Sequence, residues 1–163
     1  MKETTEKDAL AKLAALCSRG EHCSHEMLVK MERWGLDSEA QARVMAQLTA
    51  GRYVDDRRFA RAFALDKVRY DRWGRRKIDQ ALWAKRIDET IRRDVLDAID
   101  NDEYVKALRP LLQSKSRSVK GSSDYEKRMK LVRFALGRGF GMETIQRCLN
   151  GADDIDEDDG FVE

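Results

Sequence analysis

The sequence has few residues that break helices and no stretch suited to crossing a membrane. Proline occurs once in 163 residues, and alternation of β-branched with polar residues is nearly absent. No apolar run approaches the ~20 residues that a membrane-spanning helix requires. The N-terminus, MKETTEKDAL, lacks the basic start and apolar middle of a secretory signal. These absences predict a soluble, cytoplasmic protein with no membrane partner.

Motifs for catalysis and cofactor binding are also missing. There is no Gly-rich phosphate loop and no set of nucleophile, histidine and carboxylate with a recognised spacing. Cys17, His22, Cys23 and His25 lie close together, but their spacing matches no closed zinc site. We interpret them as a buried thiol on an apolar helical face and solvated histidines at a turn. With three cysteines a disulfide framework is not indicated either. We therefore predict no metal site and no cofactor.

The residues that are abundant favour an all-α fold. Ala, Leu, Arg, Lys, Glu and Asp dominate, and all of these except Asp are good helix formers. Hydrophobic residues make up 42% of the chain, which is enough for a packed core, and charged residues make up 38%. The composition therefore predicts helices with one apolar face and a long solvated perimeter.

The formal net charge of +2 conceals a strong asymmetry along the chain. The tail, residues 151–163, contains seven of the 30 acidic residues and none of the 32 basic ones, so residues 1–150 carry a net charge of +9. A basic body indicates a polyanionic or acidic partner. We predict that the tail is a disordered, solvated end, with competition for the basic surface as the alternative.

A segment of about fifty residues recurs three times. Its turns align at offsets of 51 and then 53 residues, at Trp34-Gly35-Leu36, Lys85-Arg86-Ile87 and Arg138-Gly139-Phe140. The apolar positions in the helix before each turn coincide at the same offsets: Met27 with Ile78 and Leu131, and Met31 with Leu82 and Ala135. Such recurrence of apolar positions indicates a repeated packing unit.

Each unit is predicted to contain three helices, with units at 1–50, 51–100 and 101–150. In the first unit the helices are expected near 7–19, 24–34 and 38–50, with Asp37 capping the third. Stacked in a row, three such units predict an elongated, curved all-α body with a concave face.

Local signals in the third unit predict two interruptions and a stop. Pro110 lies inside an apolar helical pattern, so this helix should kink or end early. The Ser- and Lys-rich segment 114–123 is predicted to be a flexible loop, followed by a capping box at Ser123–Glu126. A short last helix, 142–149, is expected to end at Asn150-Gly151.

The stretch from Gly51 to Ile87 couples an apolar helical stripe to a dense set of cations. Between Arg52 and Arg93 there are 14 Arg or Lys residues and 7 Asp or Glu residues. Asp55 or Asp56 is placed to cap the start of the helix that carries Phe59 and Phe63. A reading of the two aspartates as a catalytic or metal-binding pair is the weaker alternative, because arginines flank them on both sides.

This stretch resembles the central signature of the RecX family of bacterial regulatory proteins. The residues that carry the resemblance are Tyr53-Val54-Asp55-Asp56-Arg57-Arg58-Phe59-Ala60, then Gly74, Ile78, Leu82 and Lys85-Arg86-Ile87. The likeness extends over roughly residues 10–149. One residue departs from the family pattern, since Arg86 stands where the family usually has Gly. A positive φ there would cost a non-Gly residue about 1 kcal/mol, so either the turn is built differently or Arg86 is strained.

The resemblance implies a modulator of the RecA recombinase. Members of the family are tandem three-helix repeats that bind along the RecA–DNA filament and restrain its recombinase, ATPase and coprotease activities, and they are not enzymes. We therefore expect RecA filaments as the partner, with DNA contacted as part of the filament, and a monomeric protein.

The predicted contact surface consists of cations from the second and third units. Three of them, at 75–77, stand at a helix start, where positive charge opposes the macrodipole, which suggests a use beyond folding, with a solvated basic turn as the alternative. Trp73 and Trp83 are expected to be half-buried packing residues, with base stacking or an interface anchor as the alternative. The contact residues are Arg57, Arg58, Arg61, Arg69, Arg72, Arg75, Arg76, Lys77, Lys85, Arg86, Lys127, Arg128, Lys130 and Arg133.

Two further functions remain open from the sequence. A basic helical module could bind nucleic acid independently of RecA, since three-helix units of this size resemble helix-turn-helix domains. A structural adaptor without a DNA role is the weaker option. The sequence does not separate capping of filament ends from binding in the filament groove.

Overall fold

The computed structural model describes the backbone of residues 3–159 and the side chains of residues 3–150. Every regular element in this range is a helix. The helices are α1 (Glu6–Arg19), α2 (Ser24–Arg33), α3 (Ser38–Ala50), α4 (Asp56–Arg69), α5 (Arg75–Ala84), α6 (Glu89–Ala98), α7 (Asn101–Ser116), α8 (Asp124–Gly137) and α9 (Met142–Asp159). The predicted all-α class and the predicted bounds of the first three helices are confirmed.

The three predicted turns between the second and third helices share one geometry. The residue at the centre of each turn has a positive φ, of 80° at Gly35, 58° at Arg86 and 94° at Gly139. The N–H of the next residue then reaches back across the end of the preceding helix: Leu36 to the Met31 carbonyl, Ile87 to Leu82 and Phe140 to Ala135, at 3.1–3.2 Å. This is a Schellman motif in each case. The alignment predicted from the sequence is therefore confirmed, and Arg86 adopts the strained conformation.

The residues form two compact units. Within the described range, the first comprises residues 3–63 together with Leu82–Val95, and the second comprises Ala64–Ala81 together with residues 96–159. The division falls inside α4, α5 and α6, so residues of the middle helices belong to both units. The repeat boundaries at 50, 100 and 150 stay predictions.

The first compact unit is built on the apolar face of α3. This helix packs against both α1 and α2. Asp37 begins it as predicted, since its carboxylate accepts the Ala40 N–H at 2.8 Å. The core is a continuous apolar cluster of Ala9, Leu13, Met27, Met31, Leu36, Ala40, Val44, Leu48 and Val54.

In the second compact unit α7 packs against α8 and α9, and α8 packs against α9. Pro110 lies within α7, and the helix continues to Ser116, which excludes the predicted early end. The buried side chains of Ala107, Leu108 and Leu112 lie on either side of the proline. Their burial offsets the cost of a proline inside a helix, which is about 3 kcal/mol for the lost hydrogen bond and the ring clash together.

Three further local predictions need correction. The segment outside the helices before α8 is 117–123, because Ser114 to Ser116 complete α7. The Ser123 hydroxyl does accept the Glu126 N–H, but the Glu126 carboxylate bonds Ser122 instead of closing a capping box on Ser123. The last helix does not stop at Asn150-Gly151 but continues to Asp159. The last four residues of the acidic tail lie outside the described range.

Candidate interaction surface

The paired aspartates of the central signature cap two different helices. Asp55 precedes α4, and its carboxylate accepts the Arg58 N–H at 3.0 Å. Asp56 instead accepts the N–H of Ser24, the first residue of α2, at 2.7 Å. Each carboxylate thereby satisfies an orphan donor at a helix N-terminus. The capping interpretation is confirmed for Asp55, whereas the role of Asp56 across 32 residues of sequence could not be foreseen.

Arg58 also stabilises the region around the start of α4. Its guanidinium forms an ion pair with Glu21 at 2.7 Å and also donates to the carbonyl oxygens of Arg52 and Tyr53. These hydrogen bonds hold the chain segment that leads into α4 in place. Within the predicted contact surface, Arg58 is a residue with a structural use.

Glu26 gathers three partners at the start of α2. It bonds His22 at 3.0 Å and the Cys23 thiol at 3.2 Å, and Lys85 lies 3.5 Å away. Burial acts to raise the pKa of Glu26, but the hydrogen bonds from His22 and Cys23 and the charge of Lys85 outweigh it, so this pKa is lowered. Burial also raises the pKa of the Cys23 thiol to about 11. Lys85, a predicted contact residue, also lies 5.7 Å from the centre of the Phe59 ring.

Three of the four residues considered for a zinc site make other contacts. The Cys17 thiol lies 3.8 Å from the Met27 sulfur, and His22 and Cys23 share Glu26. Among residues 3–150, no group of three or more His, Cys, Asp and Glu side chains is placed to hold a metal ion.

The start of α5 is enclosed by the turn between α8 and α9. The N–H groups of Gly74 and Arg76 donate to the carbonyl oxygens of Arg138 and Gly139, at 2.8 and 3.0 Å. The Arg138 guanidinium in turn donates to the carbonyl oxygens of Asp71 and Arg72. Carbonyls at the end of one helix thus satisfy donors at the start of another, where the two partial charges attract.

The three cations at the start of α5 have three different environments. Arg75 forms an ion pair with Asp97 at 2.5 Å. Lys77 lies 4.6 Å from the centre of the Trp73 ring, on which Lys67 also lies at 4.7 Å. The exposed Arg76 side chain has no ion pair or hydrogen bond within the described residues. Trp73 is half-buried as predicted, and its ring explains how two lysines are accommodated.

Most of the other predicted contact residues have partners on the protein itself. Arg57 pairs with Asp94 at 3.0 Å and Arg69 with Glu103 at 3.1 Å. Arg128 donates to the Asn150 side chain, and Lys130 contacts the Lys120 carbonyl and Glu126. Arg72 has a φ of 55° and donates to the Ala107 carbonyl. The ion pairs among these contacts are exposed or half-exposed, and surface ion pairs of this kind contribute about 0–1 kcal/mol.

Five of the fourteen predicted residues are exposed and make no side-chain hydrogen bond or ion pair within residues 3–150. Two lie in the first compact unit and three in the second. Their charges are uncompensated by any close acid, so a polyanion or acidic surface could bind them without first breaking an internal pair. The five are Arg61, Arg86, Arg76, Lys127 and Arg133.

Trp83 differs from the sequence-based expectation. Its side chain is 68% exposed, so the prediction of a half-buried packing residue is wrong. The apolar stripe of α5 is formed by Ile78 and Leu82, both fully buried, and the residue next to Leu82 points elsewhere on a helix. The helical periodicity of the sequence could not show that the Trp83 indole is exposed in the same cleft as Arg86, whose charge has no ion-pair partner within residues 3–150.

The described fold defines an all-α protein built from three-helix domains. Models of the second and third three-helix domains of RecX match residues 55–96 and 102–149. The regulatory protein RecX of Chlorobaculum tepidum is 31% identical over 149 residues, which is 91% of each chain. That of Chlorobium phaeobacteroides is 31% identical over 150 residues, covering 92% of this chain and 97% of the relative. The chain belongs to the RecX family of regulatory proteins.

Solved structures show the same fold. RecX from Lactobacillus salivarius matches with a TM-score of 0.81 at 18% identity, covering 90% of this chain and 98% of that one. A second crystal structure of a regulatory protein RecX matches with a TM-score of 0.81 at 16% identity, over 89% of this chain and 73% of the other. Across the residues described, every helix is too short or too polar to cross a bilayer.

Proposed function

We propose that the protein restrains the RecA recombinase by binding along the RecA–DNA filament. It does so in the cytoplasm, as a monomer, without a cofactor and without catalysing a reaction. Membership of a family of regulatory proteins supports a regulatory role. The finer statement, that the target is the assembled filament, rests on the family resemblance and on the charge of the protein.

The observation that carries the proposal is the group of five exposed cations without internal partners, Arg61, Arg86, Arg76, Lys127 and Arg133. A filament presents phosphates and acidic side chains at regular intervals, and both attract such cations. The cations in weak surface pairs, such as Arg57 and Arg69, can exchange their acids for filament groups at little cost. Binding should therefore weaken steeply as salt rises.

The test is RecA ATPase activity on single-stranded DNA, titrated with this protein. We expect the wild type to lower the ATPase rate. The double variant Arg61→Glu with Arg76→Glu should need about tenfold more protein for half-inhibition, because two attractive contacts become repulsive. Both side chains lack internal partners, so the fold should survive. Reversal of Arg72 or Arg75 is less informative, since each has a partner within the protein.

The matched control is Lys7→Glu with Lys106→Glu, two exposed lysines outside the predicted contact residues. This control changes the net charge by the same amount and should inhibit like the wild type. Equal loss in both variants would mean that net charge alone matters. DNA binding that is unchanged by RecA, with no effect on the ATPase, would favour the independent nucleic-acid module instead.

A further inference from the structure

A small cleft opens between the end of α5 and the start of α6, within the first compact unit. Its volume is about 300 Å³, and Trp83, Arg86 and Ile87 line it together with the first turn of α6. The Trp83 side chain is 68% exposed, whereas Ile87 is buried. The cleft therefore combines an accessible aromatic face with a cation.

Arg86 is held in a conformation that an arginine adopts at a cost. Its φ is 58°, and the equivalent turns of the other two repeats have Gly35 and Gly139. Glycine adopts this conformation without steric penalty. The Arg86 side chain does not repay the strain inside the protein, since it is exposed and makes no ion pair or hydrogen bond within residues 3–150. What distinguishes Arg86 from Arg52, which has a similar φ, is that Arg86 lines the cleft together with the exposed Trp83.

The other charged groups of the cleft are engaged. Asp88 accepts the Thr90 N–H at 3.2 Å, as a cap of α6, and Glu89 pairs with Arg93 at 3.4 Å. Arg92 donates to the Ile87 carbonyl at 2.8 Å. Among the charged groups that line this cleft, the Arg86 guanidinium is thus the one available to bind an external group.

We propose that the cleft docks a protein segment in which a carboxylate lies next to an apolar or aromatic side chain. The carboxylate would pair with Arg86 in a bidentate manner, and its neighbour would cover the Trp83 ring. Trp and Arg are the residues that most often dominate the energy of protein interfaces. The inference rests on the proposed function, and the segment belongs to the recombinase subunits of the filament.

The test exploits the backbone of Arg86. The substitution Arg86→Gly removes the guanidinium from a turn that suits glycine, so the thermal midpoint should be equal to or above that of the wild type. We expect its affinity for RecA filaments assembled on single-stranded DNA to fall at least about tenfold, as for a hot-spot residue. The filament affinity of Trp83→Ala should fall by a similar factor. Because this side chain is mostly outside the core, the variant should keep its fold. Affinity for the DNA alone should not change.

The matched control is Arg52→Gly. Arg52 is also exposed, also has a positive φ, of 60°, and its side chain makes no hydrogen bond or ion pair within residues 3–150. Its removal is the same chemical change elsewhere in the same compact unit and should leave filament affinity within about twofold of the wild type. Arg86→Lys should recover part of the affinity, because lysine keeps the charge but not the bidentate geometry.

Three results would overturn the inference. If Arg86→Gly and Trp83→Ala bind filaments as the wild type does, the cleft is not a docking site, although the proposed function stands. If affinity for DNA alone falls in parallel, the cleft binds nucleic acid and not protein. If the wild type itself fails to bind filaments, the proposed function falls and this inference falls with it.

Discussion

The backbone N–H of Gly74 donates a 2.8 Å hydrogen bond to the carbonyl oxygen of Arg138. This bond joins residues 64 positions apart in the sequence. It brings the backbone before α5 against the turn after α8, so closely that neither Gly74 nor Gly139 has space for a side chain. The signature glycine is therefore needed for close approach, and not for a positive φ.

Substitution of this glycine should be costly. A Cβ at Gly74 would overlap the backbone nitrogen of Phe140 and the backbone of Gly139. Backbone atoms cannot rotate away, so Gly74→Ala should lower the free energy of unfolding by about 1–3 kcal/mol. Chemical denaturation followed by circular dichroism measures the change.

Gly137→Ala is the control for that measurement. Gly137 is the last residue of α8, and a Cβ there meets nothing within 4 Å. Because alanine favours helix over glycine, this variant should be as stable as the wild type or more stable by up to about 1 kcal/mol. Equal stability of the two alanine variants would show that the two backbones are not in contact.

The capping role of Asp56 predicts a second stability effect. Asp56→Ala removes the acceptor of the Ser24 N–H and leaves that donor without a partner. We expect a loss of about 1 kcal/mol, as for other N-cap residues. Asp66→Ala, an exposed aspartate of α4 with no side-chain bond within the described part, should change stability little. If both variants lose the same amount, the effect belongs to helix α4 in general and not to the cap.

The lowered pKa of Glu26 predicts a pH dependence. A carboxylate whose pKa is lower in the folded than in the unfolded state stabilises the fold above its unfolded pKa, near 4.3. That contribution is lost as the pH falls through the folded pKa. Glu26→Gln should therefore be less stable than the wild type at pH 7, by about 1 kcal/mol, and the difference should shrink on the acid side.

Thermal unfolding of Glu26→Gln at a series of pH values, beside the exposed Glu39→Gln, tests this. Glu39 makes no side-chain ion pair or hydrogen bond in the described residues, so its variant should follow the wild type more closely. A Glu26→Gln curve parallel to the wild type down to pH 3 would contradict the assignment.

The sequence was sufficient for much of the fold because the signals are local. The caps at Asp37 and Ser123 and the turn at Gly35 each act within a few residues. The same turn chemistry recurs at Arg86 and Gly139, so one alignment located all three. The stacking of the units into a curved body stays a prediction.

What the sequence could not supply depends on distant partners. Arg58 and Arg75 look like surface cations until Glu21 and Asp97 are seen beside them. The continuation of α7 past Pro110 depends on the burial of its neighbours, which outweighs the local penalty. The sequence predicts packing for Trp83 because tryptophan is a large apolar residue. Trp83 is nevertheless exposed, because its position on the helix face, and not its residue type, decides its burial.

The conformation of Arg86 has a consequence for laboratory evolution. Arginine and glycine codons are separated by a single base, so random mutagenesis reaches Arg86→Gly readily. A library selected only for heat resistance should enrich that change, whereas selection for the proposed restraint of RecA should discard it. The two selections would then pull the same codon in opposite directions.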